Sequence, residues 1–149
     1  MLYPFKFQPI LKDKIWGGQK LQKILKKPTT YVEAGESWEI SDVQGDTSIV
    51  SNGTMAGTSL KSLMELHTTE LLGHKNFQQF GTKFPLLIKF IDAKLALSVQ
   101  LHPNDALAKS RHNSFGKTEM WYVVQADSDS NLIVGFNQPM TKELYLKHH

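Results

Sequence analysis

Three side chains able to bind a metal or a substrate alternate along residues 97–105, LSVQLHPND. Ser98, Gln100 and His102 stand two positions apart, and successive side chains of a β-strand point to opposite faces. A strand here therefore carries a hydroxyl, an amide oxygen and an imidazole in a row on one face. Pro103 has no backbone N–H to donate, so the predicted strand ends there.

A second pair of functional side chains stands at the start of residues 116–124, GKTEMWYVV. Lys117 and Glu119 are also two positions apart, at the mouth of a second predicted strand. If the two strands pair, Gln100, His102 and Glu119 converge. They then offer nitrogen and oxygen ligands, which suit a divalent metal ion.

A simpler interpretation competes with a metal site. A Gln-x-His pair is common on the polar outer face of an antiparallel strand, and the spacing alone favours that explanation. Two features favour a functional site instead. The apolar residues Leu97, Val99 and Leu101 continue a run that is already rich in residues expected to be buried, which indicates a central region. Glu119 also lies between the cationic Lys117 and two aromatic residues, Trp121 and Tyr122.

The composition narrows the class of protein. The chain has 149 residues, the length of one domain, and we expect a single domain over residues 1–149. It contains no cysteine, which excludes a disulfide scaffold and a thiolate metal site and fits a reducing, cytoplasmic location. We expect no secretion signal and no membrane partner, because the longest apolar runs are too short to cross a bilayer.

The net charge of +3 comes from lysine, since Arg111 is the only arginine. Four lysines between positions 20 and 27 have helical spacing, which is typical of a solvated helix face. A nucleic-acid interface needs a denser basic stripe, so we expect no nucleic-acid partner. Scattered lysines suit a small anionic substrate, which needs only one or two well-placed cations.

Short alternating or apolar runs separated by turn residues predict a mainly β fold. The predicted strands cover residues 4–11, 35–41, 49–50, 84–94, 97–102, 116–124 and 131–136. The apolar run at 84–94 is typical of a strand covered on both faces. Short helices are predicted after a strand break at Gly17 and Gly18, from an N-cap at Thr58, around Leu71 and Leu72, from Asn104 or Asp105 to His112, and after Thr141. This pattern predicts a β-sandwich or barrel with short helices attached.

Four segments carry a family resemblance, in this order along the chain: KIWGGQKL, GESWEIS, FPLLIKFIDAKLALSVQLHPND and GKTEMWYV. They resemble type I mannose-6-phosphate isomerases (phosphomannose isomerases), in the bacterial branch with a cupin fold. The resemblance covers essentially the whole chain. The pairing of SVQLHPND with GKTEMWYV is specific, whereas the other segments alone are weak indicators.

The resemblance implies a cupin-like jelly roll or β-sandwich that holds one zinc ion. A Gln, a His and a Glu bind zinc in the family, and Gln100, His102 and Glu119 match them. Ser98 and Lys117 match residues that line the sugar-phosphate site, and we expect them to bind substrate and take part in catalysis. A fourth ligand and an active-site arginine lie further downstream in the family. The chain is therefore expected to represent the N-terminal half of such an enzyme, incomplete at its C-terminal side.

The implied reaction interconverts mannose 6-phosphate and fructose 6-phosphate, a zinc-dependent aldose–ketose isomerisation. The expected partner is a sugar phosphate, and the oligomeric state is left open. By itself, the 149-residue chain is expected to fold marginally, to bind zinc weakly and to show no turnover, because catalytic geometry tolerates little misplacement. Two alternatives stay open. One is an iron-dependent cupin oxygenase, although such sites usually carry a second histidine near the first. The other is a non-catalytic sugar-phosphate-binding module.

Overall fold

The computed structural model describes residues 1–148, which divide into two units. The first unit runs from Met1 to Leu97 and the second begins at Ser98. The single domain expected from the length stays a prediction. No helix within residues 1–148 is both long and apolar enough to span a lipid bilayer.

The first unit holds the strands of the described chain. In order, its elements are β1 (Ile10–Gly18), α1 (Lys20–Lys23), β2 (Ala34–Ile40), β3 (Asp42–Val43), β4 (Asp46–Thr47), α2 (Leu60–Leu72), α3 (His74–Phe80) and β5 (Ile88–Ile91). An antiparallel sheet has the order β1-β2-β5, and β3 and β4 pair separately. Ser37, in the middle of β2, lies opposite Leu11 on one side and Phe90 on the other. The strand predicted at residues 35–41 is confirmed by β2.

The strand break predicted at Gly17 and Gly18 is wrong, because β1 continues through both residues. The two glycines instead allow neighbouring atoms to approach the β1 backbone closely. A Cβ on Gly17 would lie 2.6 Å from the Gly35 backbone nitrogen, and one on Gly18 would lie 2.5 Å from Asp92 Oδ2. The buried Asp92 carboxylate also accepts a hydrogen bond of 2.6 Å from the Lys20 N–H at the start of α1. The ends of β1 and β5 and the start of α1 therefore meet at one point.

Helix α1 is only one turn long and ends at Lys23. Leu21 is buried, but Ile24 and Leu25 lie beyond the helix and are 56% and 41% exposed. A helix of one turn without a side-chain cap has little to stabilise it except the packing of its buried residue.

Helix α2 supplies much of the core of the first unit. Its buried residues are Leu60, Leu63 and Met64, as the periodicity predicts. The N-cap is Ser59 rather than the predicted Thr58, and its side chain accepts a hydrogen bond of 3.1 Å from the Ser62 N–H. A turn of non-helical backbone at Thr68 interrupts the helix, and the helix predicted around Leu71 and Leu72 is its last turn.

The N-terminal strand predicted at residues 4–11 is reduced to one bridge, between Phe7 and Val50, before β1 begins. The short strand predicted at residues 49–50 likewise forms only isolated bridges. A turn follows at Gly53, whose φ of +65° favours glycine.

The strand predicted at residues 84–94 is confirmed only over β5. Its expected cover on both faces is wrong, since Ile88 and Phe90 are 47% and 38% exposed. Ile88 and Phe90 share one face of β5 and alternate with the less exposed Lys89 and Ile91, so one face of the strand is more open than the other. β5 is also an edge strand, paired only with β2.

The second unit contains α4 (Asp105–His112) and α5 (Lys142–His148), both close to their predicted positions. The strands predicted at residues 97–102, 116–124 and 131–136 are absent from the described chain. A strand requires backbone partners, and no ladder of backbone hydrogen bonds joins these segments within residues 98–148. Their alternating apolar side chains are therefore exposed, with Val99 at 81% and Leu101 at 97%.

A buried ion pair lies on the sheet of the first unit. Glu36 is 7% exposed, and its two carboxylate oxygens accept hydrogen bonds from Trp38 Nε1 at 2.6 Å and Lys89 Nζ at 3.1 Å. Burial raises the pKa of the Glu36 carboxyl. The hydrogen bonds from Trp38 and Lys89 and the positive charges of Lys89 and Lys14 outweigh burial, so the pKa lies below its ordinary value of 4.5.

This carboxyl makes the stability of the sheet depend on pH. A carboxyl whose pKa is lower in the folded chain stabilises the fold above the unfolded pKa, and that stabilisation is lost as the pH falls through the folded pKa. We expect the free energy of unfolding to fall as the pH drops below 4.5. The variant Lys89→Met is expected to show a smaller fall, because the pKa of Glu36 moves back towards its ordinary value. Denaturant unfolding at a series of pH values measures both.

The matched control is Lys61→Met, which removes an exposed lysine on α2. The control is expected to retain the wild-type pH dependence. The same pH dependence in Lys89→Met and wild type would contradict the role assigned to this ion pair.

Candidate functional site

Three of the predicted site residues meet in the second unit. His102 Nε2 lies 3.6 Å from Glu119 Oε2, and Lys117 Nζ lies 3.4 Å from Glu119 Oε1. The Glu119 carboxylate thus faces an imidazole with one oxygen and an ammonium with the other. The side chains of His102, Glu119 and Lys117 are 25%, 34% and 48% exposed, so the cluster is open to a ligand from solvent.

Helix α4 brings these residues together. Asn104 caps its start, because the Asn104 side chain accepts a hydrogen bond of 2.9 Å from the Leu107 N–H. Asn113 ends the helix in the left-handed conformation, with φ 50° and ψ 39°, which reverses the chain. The returning segment then passes the start of the helix, where the Lys117 N–H donates a hydrogen bond of 3.2 Å to the Pro103 carbonyl.

The prediction that strand pairing forms the site is therefore wrong, although the predicted contact between His102 and Glu119 is present. The sequence analysis brings His102 and Glu119 together by pairing two strands, and the structure has no such pair in the described chain. The two residues meet because a capped helix connects them. The local signals for that helix, an Asn at each end, are visible in the sequence.

Ser98 and Gln100 are not joined to the cluster. Both are exposed, and neither side chain makes a hydrogen bond to another residue of the described part. Both lie on the segment that leads into His102, and their predicted roles as substrate-binding and metal-binding residues stay predictions.

The separation of His102 and Glu119 fits a shared metal ion. Two ligand atoms that each lie about 2.0–2.2 Å from zinc in a tetrahedral arrangement are about 3.3–3.5 Å apart. The 3.6 Å between Nε2 and Oε2 is close to that distance, and imidazole nitrogen and carboxylate oxygen are both zinc ligands. Within residues 1–148, no group of three His, Cys, Asp or Glu residues is arranged to hold a metal, so His102 and Glu119 form a pair of candidate ligands and not a complete set.

The first unit offers a different kind of concavity. An open cavity of about 480 Å³ is lined by Pro9, Leu11, Pro28, Thr29, Thr30 and Tyr31. Its lining contains no carboxylate, imidazole or amine. The cavity therefore lacks the groups for metal or phosphate binding that the cluster around Glu119 provides.

Sequence reasoning missed two residues that shape the cluster. Asp105 Oδ1 accepts a hydrogen bond of 2.8 Å from the Gly116 N–H, and this bond lies beside the one between Lys117 and Pro103. The signals for it were an acidic residue in the first turn of α4 and a glycine directly before Lys117. Neither signal reveals the contact without the path of the intervening chain.

Residues 4–132 match the family described as phosphomannose isomerase type I, catalytic domain. The chain belongs to this family. The match includes the whole cluster of His102, Lys117 and Glu119, and it confirms the resemblance that the four sequence segments indicate.

Two phosphomannose isomerase relatives show how far the similarity extends. The chain is 39% identical to the mannose-6-phosphate isomerase ManA of Bacillus subtilis (strain 168) over 142 residues, which cover 95% of this chain and 43% of that protein. It is 38% identical to the mannose-6-phosphate isomerase of Streptococcus mutans over 144 residues, which cover 97% of this chain and 44% of that protein. The chain thus spans less than half the length of these curated relatives.

A solved phosphomannose isomerase confirms the fold class. The structure is similar to the crystal structure of the mannose 6-phosphate isomerase from Bacillus subtilis, with a TM-score of 0.69 and 34% sequence identity. The similar region covers 77% of this chain and 35% of that chain. The predicted mainly β, cupin-like class with short helices is therefore confirmed, although several predicted strands do not form within the described residues.

Proposed function

We propose that the chain carries part of the metal and sugar-phosphate site of a zinc-dependent mannose-6-phosphate isomerase, which interconverts mannose 6-phosphate and fructose 6-phosphate. The observation that carries the proposal is the cluster at Glu119, whose two oxygens face His102 and Lys117 within the segment that matches the family. It combines a candidate metal ligand pair with a cation suited to an anionic sugar.

The metal-binding side of the cluster would consist of His102 and Glu119, with Gln100 as a third ligand. A zinc ion bound there supplies a Lewis acid that stabilises negative charge on substrate oxygens during proton transfer between C1 and C2. His102 and Gln100 are neutral ligands, so Glu119 would contribute the only negative charge of the three. The site would then keep more positive charge than a set of carboxylates.

The substrate-binding side would consist of Lys117 and Ser98. The Lys117 side chain is 48% exposed and its ammonium has three N–H donors, so it can face both Glu119 and an anionic group of the substrate. A hydroxyl at Ser98 can donate one hydrogen bond to a sugar or phosphate oxygen. In this proposal the binding partner is a sugar phosphate, and neither nucleic acid nor a membrane is a partner. The proposed location is cytoplasmic, in keeping with a chain that has no cysteine.

The metal assignment is tested by the variant His102→Ala. Removing the imidazole leaves at most two of the proposed ligands, so stoichiometric zinc is expected to be lost. Elemental analysis after dialysis against zinc-containing buffer measures the metal content. The control is His112→Ala, which removes an exposed imidazole at the end of α4 outside the cluster. Equal zinc content in His102→Ala and wild type would rule out His102 as a ligand.

The substrate assignment is tested by the variant Lys117→Met, which keeps the apolar stem and removes the charge. Hydrogen bonds to charged groups contribute about 1.5–3 kcal/mol, so binding of mannose 6-phosphate is expected to weaken about tenfold or more. Binding of mannose should change little. Calorimetry with both sugars measures the difference, and Lys147→Met, at an exposed lysine of α5, is the control. If both sugars are affected equally, Lys117 does not bind the phosphate.

The reaction is tested with a chimera in which this chain replaces the matching 142-residue segment of Bacillus subtilis ManA. The folded chimera is expected to convert mannose 6-phosphate to fructose 6-phosphate, and the same chimera with His102→Ala should lose this activity. A coupled assay for fructose 6-phosphate measures turnover, and circular dichroism checks folding. A folded, zinc-loaded chimera without activity would argue against an isomerase and for a binding module.

A further inference from the structure

The segment after α4 is held against the start of the same helix by two hydrogen bonds. The Gly116 N–H donates to Asp105 Oδ1 at 2.8 Å, and the Lys117 N–H donates to the Pro103 carbonyl at 3.2 Å. Both bonds involve backbone atoms of the returning segment. Together they form a clip, defined here by Pro103, Asp105, Gly116 and Lys117, that closes the loop around α4.

The clip lies directly between the two candidate metal ligands. Pro103 directly follows His102 in sequence, and Lys117 lies two positions before Glu119. Fixing the Pro103 carbonyl against the Lys117 N–H therefore fixes the distance between the backbone that carries the imidazole and the backbone that carries the carboxylate. His102 Nε2 and Glu119 Oε2, 3.6 Å apart, thus belong to the residues on either side of this closure.

Gly116 is needed for the close approach rather than for its backbone conformation. Its φ lies outside the left-handed region, so the backbone itself would accept another residue. A Cβ there, however, would lie 2.5 Å from the Asp105 backbone nitrogen and 2.6 Å from the Asn104 carbonyl carbon. These neighbours are backbone atoms at a helix start and cannot rotate away. Any side chain at position 116 must push the loop off the helix.

We propose that Asp105 and Gly116 are positioning residues of the site: they hold Lys117 and Glu119 beside His102 without contacting metal or substrate themselves. If the clip positions the ligands, zinc binds more tightly, and this consequence rests on the proposed function. Groups that orient metal ligands from outside typically contribute about 10–100-fold to metal affinity. We expect the clip to contribute at the lower end of that range, because Asp105 is exposed to solvent.

A merely structural role for Asp105 must be distinguished from positioning. An acidic residue in the first turn also stabilises a helix through the partial positive charge at its N-terminus. Asp105→Asn and Asp105→Ala both remove the negative charge, but only Asn keeps an oxygen that accepts the Gly116 N–H. Asn104→Ala removes the helix cap and leaves the clip intact. The three variants therefore separate charge, helix stability and the clip.

The first measurement uses the full 149-residue chain without metal. Nuclear Overhauser contacts between the His102 ring and the Glu119 side chain report whether the two ligands are adjacent. We expect these contacts in the wild type, Asp105→Asn and Asn104→Ala, and their loss in Asp105→Ala and Gly116→Ala. Contacts that persist in Asp105→Ala and Gly116→Ala would overturn the proposal, and so would an equal loss in Asn104→Ala.

The second measurement is a competition titration of zinc against a chromophoric chelator. We expect Asp105→Ala and Gly116→Ala to bind zinc about tenfold more weakly than the wild type, with Asp105→Asn within about threefold of it. If Asp105→Ala binds zinc with the wild-type affinity, the clip does not strengthen zinc binding, and that part of the proposal is overturned. If the wild type itself binds no zinc while the contacts respond as expected, the proposed function fails and the clip stands. The two ideas thus fail separately.

Discussion

Strand β2 has backbone partners on both sides, and the sheet of the first unit depends on it. Its residues bond to β1 along one edge and to β5 along the other. Gly35 allows the end of β1 to approach closely at Gly17, and a side chain on either glycine would collide with the other strand. The same strand carries the buried Glu36 carboxylate, whose partners come from β2 itself and from β5. Close packing at the glycines, the backbone hydrogen bonds of the sheet and the ion pair of Glu36 therefore all involve this one strand.

The elements that the sequence predicts well are those with local causes. The helix α4 follows from an Asn at each end, and the buried face of α2 follows from its helical spacing. The alternation in residues 35–41 predicts β2 correctly, yet the same alternation in residues 116–124 gives no strand in the described chain. The difference is the partner strand, which alternation does not encode, because strand formation depends on neighbours distant in sequence.

The candidate site shows the same division between local and distant causes. Residue type and spacing, together with the family resemblance, point to five site residues, and the structure brings together three of them, His102, Lys117 and Glu119. The geometry that does so was not predictable, since it relies on Gly116 packing against the start of a helix that is distant from it in sequence. Membership of the phosphomannose isomerase family adds the chemical context that three side chains alone do not supply.

The Glu119 carboxylate has one further consequence for how the proposed site responds to its ligands. One oxygen faces the imidazole and the other faces the ammonium, so the two halves of the site share a single charged group. A metal ion bound by Glu119 would withdraw negative charge from the carboxylate and weaken its attraction for Lys117, leaving the ammonium freer to bind an anion. Thermodynamic linkage makes the effect mutual, so an anion at Lys117 alters metal affinity by the same factor. Occupancy of the two proposed subsites would then be coupled through one side chain, with no movement of the backbone required.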